Sequence, residues 1–220
     1  MTSSTSADNG AGDPLAIRPP LQRRSREAWA RVLDAGVALL AEGGYEAFTI
    51  AAVCDRAQVA PRAIYARTDS KDALFLAVYE HGLARVRADQ GVFADADHWR
   101  GLAPDRLVDR AVRAVAGIFA RHAPLLRSVI LISGAHPEVH RRGATYSAEL
   151  GRLFAGVLLE VRDHLDHDDP ESAVRAAYTV LFSSLVVRVA YGPAIAGSEA
   201  DEDTFLASLS DMACRYLLRS

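Results

Sequence analysis

The fold is decided by residues 49–70, which read TIAAVCDRAQVAPRAIYARTDS. Thr49 is a good N-cap for a short helix over residues 50–57, because its hydroxyl can accept a hydrogen bond from a free N–H group of the first turn. Residues 58–60 are predicted to form a turn. Pro61 then suits the first position of a second short helix, to about Arg67, because its missing N–H costs nothing there. Two short helices around a tight turn predict a helix-turn-helix.

Longer helices are predicted on both sides of this motif. Apolar residues from Arg24 to Glu42 recur at the spacing of one helix face, and the glycines at 43 and 44 end that helix. Ser70 caps a fourth helix with the same pattern. In such an arrangement the second short helix is the one that enters the major groove of DNA. Three arginines at the start of the first helix can reach phosphates, namely Arg23, Arg24 and Arg26.

The charge of the chain is distributed unevenly. The formal net charge is −3 at pH 7, yet residues 21–88 carry more basic than acidic side chains and residues 89–220 carry an acidic excess. This division is typical of a polyanion-binding module joined to a second unit. With 50% hydrophobic and 24% charged residues, the composition is that of an ordinary globular protein, which excludes wholesale disorder, a collagen-like fibre and a disulfide scaffold.

The stretch from Arg26 to Val78 resembles the DNA-binding domain of the tetracycline-repressor (TetR) family of bacterial transcriptional regulators. Three runs carry the resemblance: VLDAGVALLAEGGYEAFTI, AQVAPRAIYAR and SKDALFLAV. Nine positions match the family pattern: Ala35, Gly44, Tyr45, Thr49, Ile64, Tyr65, Ser70, Lys71 and Leu74. Two positions depart from it, since Thr68 stands where the family usually has an aromatic residue and Ala60 where a Ser or Thr opens the recognition helix.

The resemblance implies DNA-binding roles for six residues. Thr49, Tyr65 and Lys71 look like residues that position phosphates, while Arg62, Ala63 and Arg67 face base edges. Hydroxyl and ammonium groups fix the register on the phosphates, whereas Arg can bind guanine with two hydrogen bonds. The alternative for the two arginines is a solvated surface charge, and the alternative for Tyr65 is ordinary half-buried packing.

The rest of the chain predicts helices, and the fold class is therefore all-α. We expect helices over residues 104–122, 125–133, 137–164, 170–191 and 201–218, with a connector at 90–103. The predicted domains are a disordered N-terminal arm at 1–22, a helix-turn-helix DNA-binding domain at 23–88 that includes the linking fourth helix, and a ligand-binding and dimerisation domain at 89–220.

The predicted helix at 170–191 is apolar on almost every side. Such a helix must be buried on every side, and a second subunit is a natural cover. The resemblance implies the same, because the last two helices of the family pack against their two-fold mates. We therefore predict a homodimer through residues 170–218 that binds a pseudo-palindromic operator.

The resemblance also implies a ligand cavity in the C-terminal domain. An apolar pocket favours a small hydrophobic or aromatic effector. For each candidate lining residue the alternative is plain core packing. The candidates are Phe93, Trp99, Phe119, His122, Phe154, Tyr178 and Phe182.

Other chemistry finds little support in the sequence. His136 and His140 have helical metal-ligand spacing, but Pro137 makes the first a loop residue, so a helix entry is the preferred interpretation. The run at 164–169 is interpreted as a loop that supplies acidic residues to the next helix start. A phosphate-binding glycine loop, a GxSxG motif and a Cys/His nucleophile pair are all missing. We expect no enzymatic activity, no cofactor and no metal, and inert buried thiols at Cys54 and Cys214.

The start of the chain and its apolar runs predict a cytoplasmic protein. The first twenty residues lack the charged start and apolar stretch of a secretory signal. In the C-terminal half, the longest charge-free apolar run, residues 176–187, covers 12 positions, whereas a membrane span needs about 20.

These features together predict a ligand-responsive, homodimeric transcriptional regulator that binds double-stranded operator DNA, more often a repressor than an activator. The alternative is a helical small-molecule- or metal-binding protein that retains the three-helix head only as a scaffold. Ala60 and Thr68 keep that alternative open. The salt dependence of DNA binding discriminates the two.

Overall fold

The computed structural model describes residues 23–197 and 200–218, so the predicted arm at 1–22 lies outside the described residues. Within the described part all regular elements are helical, which confirms the all-α fold class. The α-helices are α1 Arg23–Ala47, α2 Ile50–Ala57, α3 Pro61–Tyr65, α4 Lys71–Ala88, α5 Ala96–Trp99, α6 Pro104–Arg121, α7 Ala123–Ser133, α8 Pro137–Leu158, α9 Pro170–Tyr191 and α10 Glu202–Leu217. Three 3₁₀ helices join them, at Asp89–Ala94, Leu159–His164 and Pro193–Ala196.

Helices α1 to α4 enclose an aromatic core. Phe75 lies with its ring centroid 4.9 Å from that of Tyr45 and 5.8 Å from that of Phe48, both in edge-to-face contact. Gly36 allows α1 and α4 to approach closely, since a Cβ at this position would lie 2.4 Å from a methyl carbon of Val78. Gly44 has a φ of 67°, which turns the chain at the end of α1 as the sequence predicts.

The N-terminal helices are attached to the rest of the protein at two places. Helix α1 packs along α7, where the Ser128 hydroxyl donates a 2.5 Å hydrogen bond to the Leu40 carbonyl. Helix α4 is joined to α8 by ion pairs, because the guanidinium of Arg142 bonds both Glu80 on α4 and Glu138 on its own helix. The Arg142 side chain is 11% exposed, so this network lies largely out of water.

The C-terminal helices lie close to their predicted boundaries, with the largest difference at the end of α8. Helices α6 and α7 meet at 85°, because His122 leaves helical geometry and Pro124 opens the next helix. The helix predicted for 137–164 ends at Leu158. Beyond it the chain tightens into a 3₁₀ helix in which Val161 is non-helical, a common way for a helix to end.

Helix α9 packs against α6, α7, α8 and α10, but only on part of its surface. Its exposed apolar side chains include Val180 and Val187. By length and composition alone, α9 could cross a membrane, and α6 with α7 could do so only as one broken span. The prediction that α9 is buried on every side is therefore not met by a single chain, which leaves one face of the helix uncovered.

Candidate functional site

The helix-turn-helix begins at a well-formed cap. The Thr49 hydroxyl accepts a 3.1 Å hydrogen bond from the backbone N–H of Ala52, with Thr49 itself in extended conformation. At the other end of α2, Gln58 adopts the left-handed conformation, with φ of 54°. This residue turns the chain toward α3, and the N–H of Val59 bonds the Cys54 carbonyl at 3.1 Å. The three-residue turn predicted from the sequence is thus formed by a left-handed glutamine.

Helix α3 has no side-chain cap at its N-terminus, and one of its faces is exposed to solvent. Ala60 precedes it in extended conformation and makes no side-chain cap, and Pro61 occupies the first position. Arg62 is exposed, Ala63 is half-buried, and the Tyr65 side chain is 53% exposed. Ile64 points inward and is fully buried. The large polar side chains of α3 therefore share its solvent side, while a small residue between them lets another surface approach closely.

Arg67 does not lie on that exposed face, and this corrects the sequence-based expectation that it faces base edges. Helix α3 ends at Tyr65, two residues earlier than predicted, and Arg67 is only 8% exposed. Its guanidinium bonds the hydroxyl of Ser25 and, at 3.3 Å, the Ser25 carbonyl. It also lies 5.4 Å from the centre of the Trp29 ring. The side chain fastens the end of α3 to the first turns of α1.

Thr68 occupies the position at which an aromatic residue was expected from the family pattern. It is 1% exposed, and its hydroxyl is 3.4 Å from the Ile64 carbonyl, four residues back. The smaller side chain is thus accommodated in the core with its polar atom directed to the backbone. The departure leaves the helix-turn-helix geometry in place.

Lys71 begins α4 next to the turn. Its ammonium lies 4.2 Å from the centre of the Tyr45 ring, a cation–π contact, and the side chain is half-buried. Ser70 caps the same helix by accepting a 3.0 Å hydrogen bond from the Ala73 N–H. Burial raises the pKa of the Tyr45 phenol. Lys71 is therefore a positive charge held at a fixed place rather than a freely mobile one.

The first turn of α1 adds further positive charge beside this surface. Arg24 and Arg26 are exposed, whereas Arg23 forms a 2.9 Å ion pair with Glu27. Ser25, between these arginines, holds Arg67 from α3. The Arg67–Ser25–Trp29 contacts were missed by sequence reasoning. No local signal could have found them, because the contacting residues are about 40 positions apart.

The seven residues predicted to line a ligand cavity separate into three places. Four form one continuous aromatic row, in which Phe154, Tyr178, Phe182 and Phe119 follow one another at centroid distances of 5.7, 5.6 and 5.4 Å. Phe93 and Trp99 stack on each other at 5.5 Å, near the 3₁₀ helix that follows α4. His122 donates a 2.7 Å hydrogen bond from its ring to the Asp89 carboxylate, and this hydrogen bond lowers the pKa of that carboxyl.

Of the seven predicted lining residues, Phe119 borders one of the larger cavities. Phe119, at one end of the aromatic row, borders a pocket of about 360 Å³ between α6 and the end of α9. A groove of about 330 Å³ between α9 and α10 is lined by apolar side chains and by Tyr216. An open cleft of about 880 Å³ lies between the end of α1 and α7, and it contains none of the seven residues.

The histidines and cysteines considered in the sequence analysis occupy structural positions. His136 is the N-cap of α8 and bonds Asp72 at 2.8 Å, as expected of a helix entry. Among the described residues, no group of three or more His, Cys, Asp or Glu side chains is arranged as metal ligands. Cys54 is buried and Cys214 half-buried, and burial raises the pKa of both thiols.

The N-terminal region matches a known family, and most of the chain matches known folds. A model of bacterial regulatory proteins of the tetR family matches residues 32–78. A comparison with curated protein sequences gives no match.

Three solved structures illustrate the similarity of fold. A TetR transcription regulator from Haloarcula marismortui ATCC 43049 has 15% identity and a TM-score of 0.65, with 89% of this chain and 100% of that one covered. A bacterial regulatory protein of the tetR family from Rhodococcus RHA1 has 18% identity and a TM-score of 0.64, covering 88% and 98%. A TetR-like regulator from Rhodococcus sp. RHA1 has 22% identity and a TM-score of 0.56, covering 90% and 97%.

Proposed function

We propose that this chain, whose residues 32–78 match the TetR family model, is a DNA-binding regulator of that family and acts as a ligand-responsive repressor. In this proposal a homodimer binds a pseudo-palindromic operator, and a small, mostly apolar effector releases it. In this proposal residues 23–88 bind DNA, and residues 89–220 bind the effector and form the dimer.

The observation that carries the proposal is the exposed face of α3. Arg62 and Tyr65 project from it, and Ala63 between them leaves room for a base edge or sugar. Arg62 is the side chain available for bidentate binding to guanine, since Arg67 is turned into the domain. Tyr65, Thr49 and Lys71 surround this face with donors suited to phosphate oxygens.

Dimerisation through residues 170–218 is supported by the apolar surface of that region. Eight large hydrophobic side chains are exposed in the described part of the chain, and six of them belong to this region. We call these six the apolar face: Val180, Val187, Tyr191, Ile195, Met212 and Tyr216. Exposed apolar side chains gathered on one side of a protein mark an interaction surface. A second copy placed on this face by a two-fold axis would cover the open side of α9.

The proposed effector site is the aromatic row, together with the pocket beside Phe119. A pocket of about 360 Å³ is within the size of small-molecule sites. Repression with release requires that the effector bind more tightly to the dimer whose heads do not fit the operator. Helices α1 and α4 contact α7 and α8. In this proposal these contacts couple effector binding in the C-terminal helices to the position of the DNA-binding heads.

The division of DNA-binding roles is tested by two substitutions on a DNA site selected for the wild-type protein. We expect Arg62→Ala to reduce discrimination against substituted base pairs by about 1–3 kcal/mol, because it removes a base contact. Lys71→Ala should weaken binding to all sequences alike and reduce the salt slope by about one unit. Arg152→Ala, an exposed arginine on α8 far along the chain, serves as the control and should change neither property. Equal losses for Arg62→Ala on every sequence would contradict the assignment.

The same measurement addresses the alternative that the head is only a scaffold. The uncapped start of α3 at Ala60 and the inward position of Arg67 are the observations in its favour. A scaffold forms no specific complex at any salt concentration, whereas the affinity of a DNA-binding protein falls linearly with salt on logarithmic axes.

A further inference from the structure

Arg188, close to the end of α9, places a positive charge beside the pocket that adjoins Phe119. Its side chain is 14% exposed, so the guanidinium is largely withdrawn from water. The pocket has a volume of about 360 Å³, and apart from Arg188 and Glu202 its lining side chains are apolar. Phe119 is 2% exposed and meets Phe182 of the aromatic row edge to face at 5.4 Å. The pocket therefore combines an aromatic wall with a half-buried arginine.

The guanidinium of Arg188 keeps hydrogen-bond donors to spare. Its Nε donates a 3.0 Å hydrogen bond to the Glu202 carboxylate, and its Nη2 donates one of 3.2 Å to the Ala200 carbonyl. The group lies 4.2 Å from the centre of the Phe205 ring. Within the described ranges, 23–197 and 200–218, no protein acceptor bonds its Nη1. Because all three nitrogens of a guanidinium carry N–H groups, Arg188 can bond a further acceptor.

Glu202, which pairs with Arg188, lies in the first turn of α10 and is the more exposed partner. Its side chain is 51% exposed, against 14% for Arg188. An exposed carboxylate loses little free energy when it turns from its partner to water, because water solvates and screens it. Arg188 cannot follow, since its guanidinium also bonds the Ala200 carbonyl and covers the Phe205 ring. A second carboxylate can therefore take the place of Glu202 at a guanidinium that stays fixed.

The lining of the pocket selects an anion with an apolar body. A carboxylate has two oxygens that can accept from a guanidinium side by side, and charge-assisted hydrogen bonds are about twice as strong as neutral ones. An amide has one neutral oxygen, which is too weak an acceptor to displace an ionised glutamate, and an ammonium group would be repelled by Arg188. Phe119, Leu185 and Val189 in the lining suit a ring that carries the acid group.

Arg188 also borders a second cavity, on the side of the apolar face. This cavity has a volume of about 340 Å³, and its lining includes Val187 and Ile195 of the apolar face. The guanidinium thus stands between the proposed effector pocket and the proposed dimer interface. Loss of its bond to Glu202 would free the first turn of α10 from α9 beside that interface.

We propose that Arg188 binds the carboxylate of a small aromatic effector whose ring lies in the pocket beside Phe119, and that this carboxylate displaces Glu202. The inference rests on the proposed effector response, and it names the chemical class of the effector. Glu202 then occupies in the empty protein the place that the carboxylate of the ligand takes in the complex.

The first test compares three probes of similar size on the full chain by isothermal titration calorimetry. Phenylacetate carries a carboxylate, phenylacetamide replaces it by a neutral amide, and phenethylamine carries an ammonium group. We expect phenylacetate to bind at least about tenfold more tightly than the other two, because it alone can form charge-assisted hydrogen bonds with Arg188. Equal binding of phenylacetate and phenylacetamide, or no binding of phenylacetate at millimolar concentration, would overturn the proposal.

The second test uses substitutions with opposite expected effects. Arg188→Met should weaken phenylacetate binding at least about tenfold, and Arg188→Lys, which keeps the charge without the planar fork, should lie between it and the wild type. Glu202→Gln should tighten phenylacetate binding about two- to fivefold, because it removes the competing carboxylate. A merely structural role of the ion pair predicts the reverse for Glu202→Gln, so weaker phenylacetate binding by this variant would overturn the proposal.

Two controls separate this exchange from a general effect of charge. Asp203→Asn removes an exposed carboxylate from the same turn of α10 and should change phenylacetate affinity by less than about twofold, because solvent screens exposed charges. Arg152→Met removes an exposed arginine on α8 and should have no effect. An equal gain in affinity from Asp203→Asn and Glu202→Gln would contradict displacement of Glu202. Circular dichroism shows whether each variant is folded.

DNA binding is measured separately, so that the two proposals can fail independently. If the protein selects a DNA site but phenylacetate binding does not depend on Arg188, the regulator stands and the carboxylate site is wrong. If phenylacetate binds as expected but no DNA sequence is selected, the carboxylate site stands and the repressor proposal is wrong.

Discussion

At the scale of single residues, Arg62 and Arg67 show how two arginines five positions apart take different tasks. Arg62 lies in α3 with its side chain exposed, whereas Arg67 follows the helix and turns inward to Ser25 and Trp29. Arginine suits the second task because its planar guanidinium can donate several hydrogen bonds and stack on an aromatic ring together. Arg67 thus positions α3, and Arg62 is available to bind DNA.

This difference predicts that alanine substitution lowers stability at Arg67 but barely changes it at Arg62. Arg67→Ala should lower the free energy of unfolding by about 1–3 kcal/mol, because it removes the hydrogen bonds that the charged guanidinium donates to the hydroxyl and carbonyl of Ser25. It should weaken DNA binding without changing the preferred bases. Arg62→Ala should change stability by less than about 0.5 kcal/mol.

Denaturant unfolding and binding-site profiling of both variants check this prediction. Arg67→Lys is the matched control, since it keeps the charge but loses the fork of donors, and it should recover only part of the stability. A changed base preference in Arg67→Ala, at unchanged stability, would show that Arg67 reads bases after all.

Sequence patterns predicted the local positions of the residues in the proposed DNA-binding face, but not the direction of every side chain. Thr49 and Ser70 cap α2 and α4 as predicted, and Pro61 takes the first position of α3, which has no side-chain cap. The direction of Arg67 depends on Ser25, 42 positions away.

At the scale of elements, the contact between α4 and α8 includes ion pairs among half-buried side chains. Glu138 bonds Arg142 at 2.6 Å and Arg141 at 2.6 Å, and Arg142 continues to Glu80 on α4. The hydrogen bonds from Arg141 first, and then those from Arg142, lower the pKa of Glu138 from its usual 4.5 to about 2. Helix α8 is therefore fastened to α4 by a network that needs an ionised carboxylate.

The lowered pKa of Glu138 predicts an acid dependence of stability. Because the pKa is lower in the folded protein than in the unfolded chain, the stabilisation is fully present above pH 4.5 and is lost as the pH falls toward about 2. Glu138→Gln should be less stable than the wild type at pH 7, and its stability should fall less steeply between these two pH values.

Urea unfolding at a series of pH values measures this. Glu160→Gln, an exposed glutamate in the 3₁₀ helix after α8, is the control and should follow the wild-type curve. Parallel curves for the wild type and Glu138→Gln below pH 4.5 would mean that the network does not hold α8 to α4.

Helix periodicity predicted most element boundaries because glycine, proline and capping residues mark them. The limits of α2 and α9 agree with the predicted ones. The early end of α8 at Leu158 was not predicted, since the apolar pattern continues through Val161 and gives no sign of the change to 3₁₀ geometry. The seven predicted lining residues likewise lie in three separate places. Apolar spacing identifies core residues, but it does not predict which of them contact one another.

At the scale of the whole molecule, α9 and α10 expose several large apolar side chains to solvent. The exposed side of α9 alternates small and apolar residues, including Ala176, Val180 and Val187. Across the groove, Met212 and Tyr216 on α10 are also exposed. A homodimer on this apolar face would place two α3 helices on one molecule, as an operator with two half-sites requires.

Charge introduced on the apolar face should therefore separate the subunits. We expect Val180→Asp combined with Met212→Asp to raise the dimer dissociation constant at least about a hundredfold, because two pairs of carboxylates would lie in an apolar interface. Operator affinity should fall with it. Sedimentation velocity at several concentrations gives the assembly state, and circular dichroism confirms that the monomer is folded.

Leu131→Asp is the matched control for this experiment. Leu131 is 49% exposed on α7, outside residues 170–218. The control should remain dimeric. A dimer that survives the double substitution but is lost in Leu131→Asp would move the interface to the cleft between α1 and α7.

The central claim, that this chain is a dimeric DNA-binding repressor, is tested most directly by selecting binding sites for the purified wild-type protein from a pool of random double-stranded DNA. We predict enrichment of one inverted-repeat consensus, bound with an affinity that falls linearly with salt on logarithmic axes. Protein that is folded and dimeric, yet enriches no sequence at low or moderate salt, would contradict the claim.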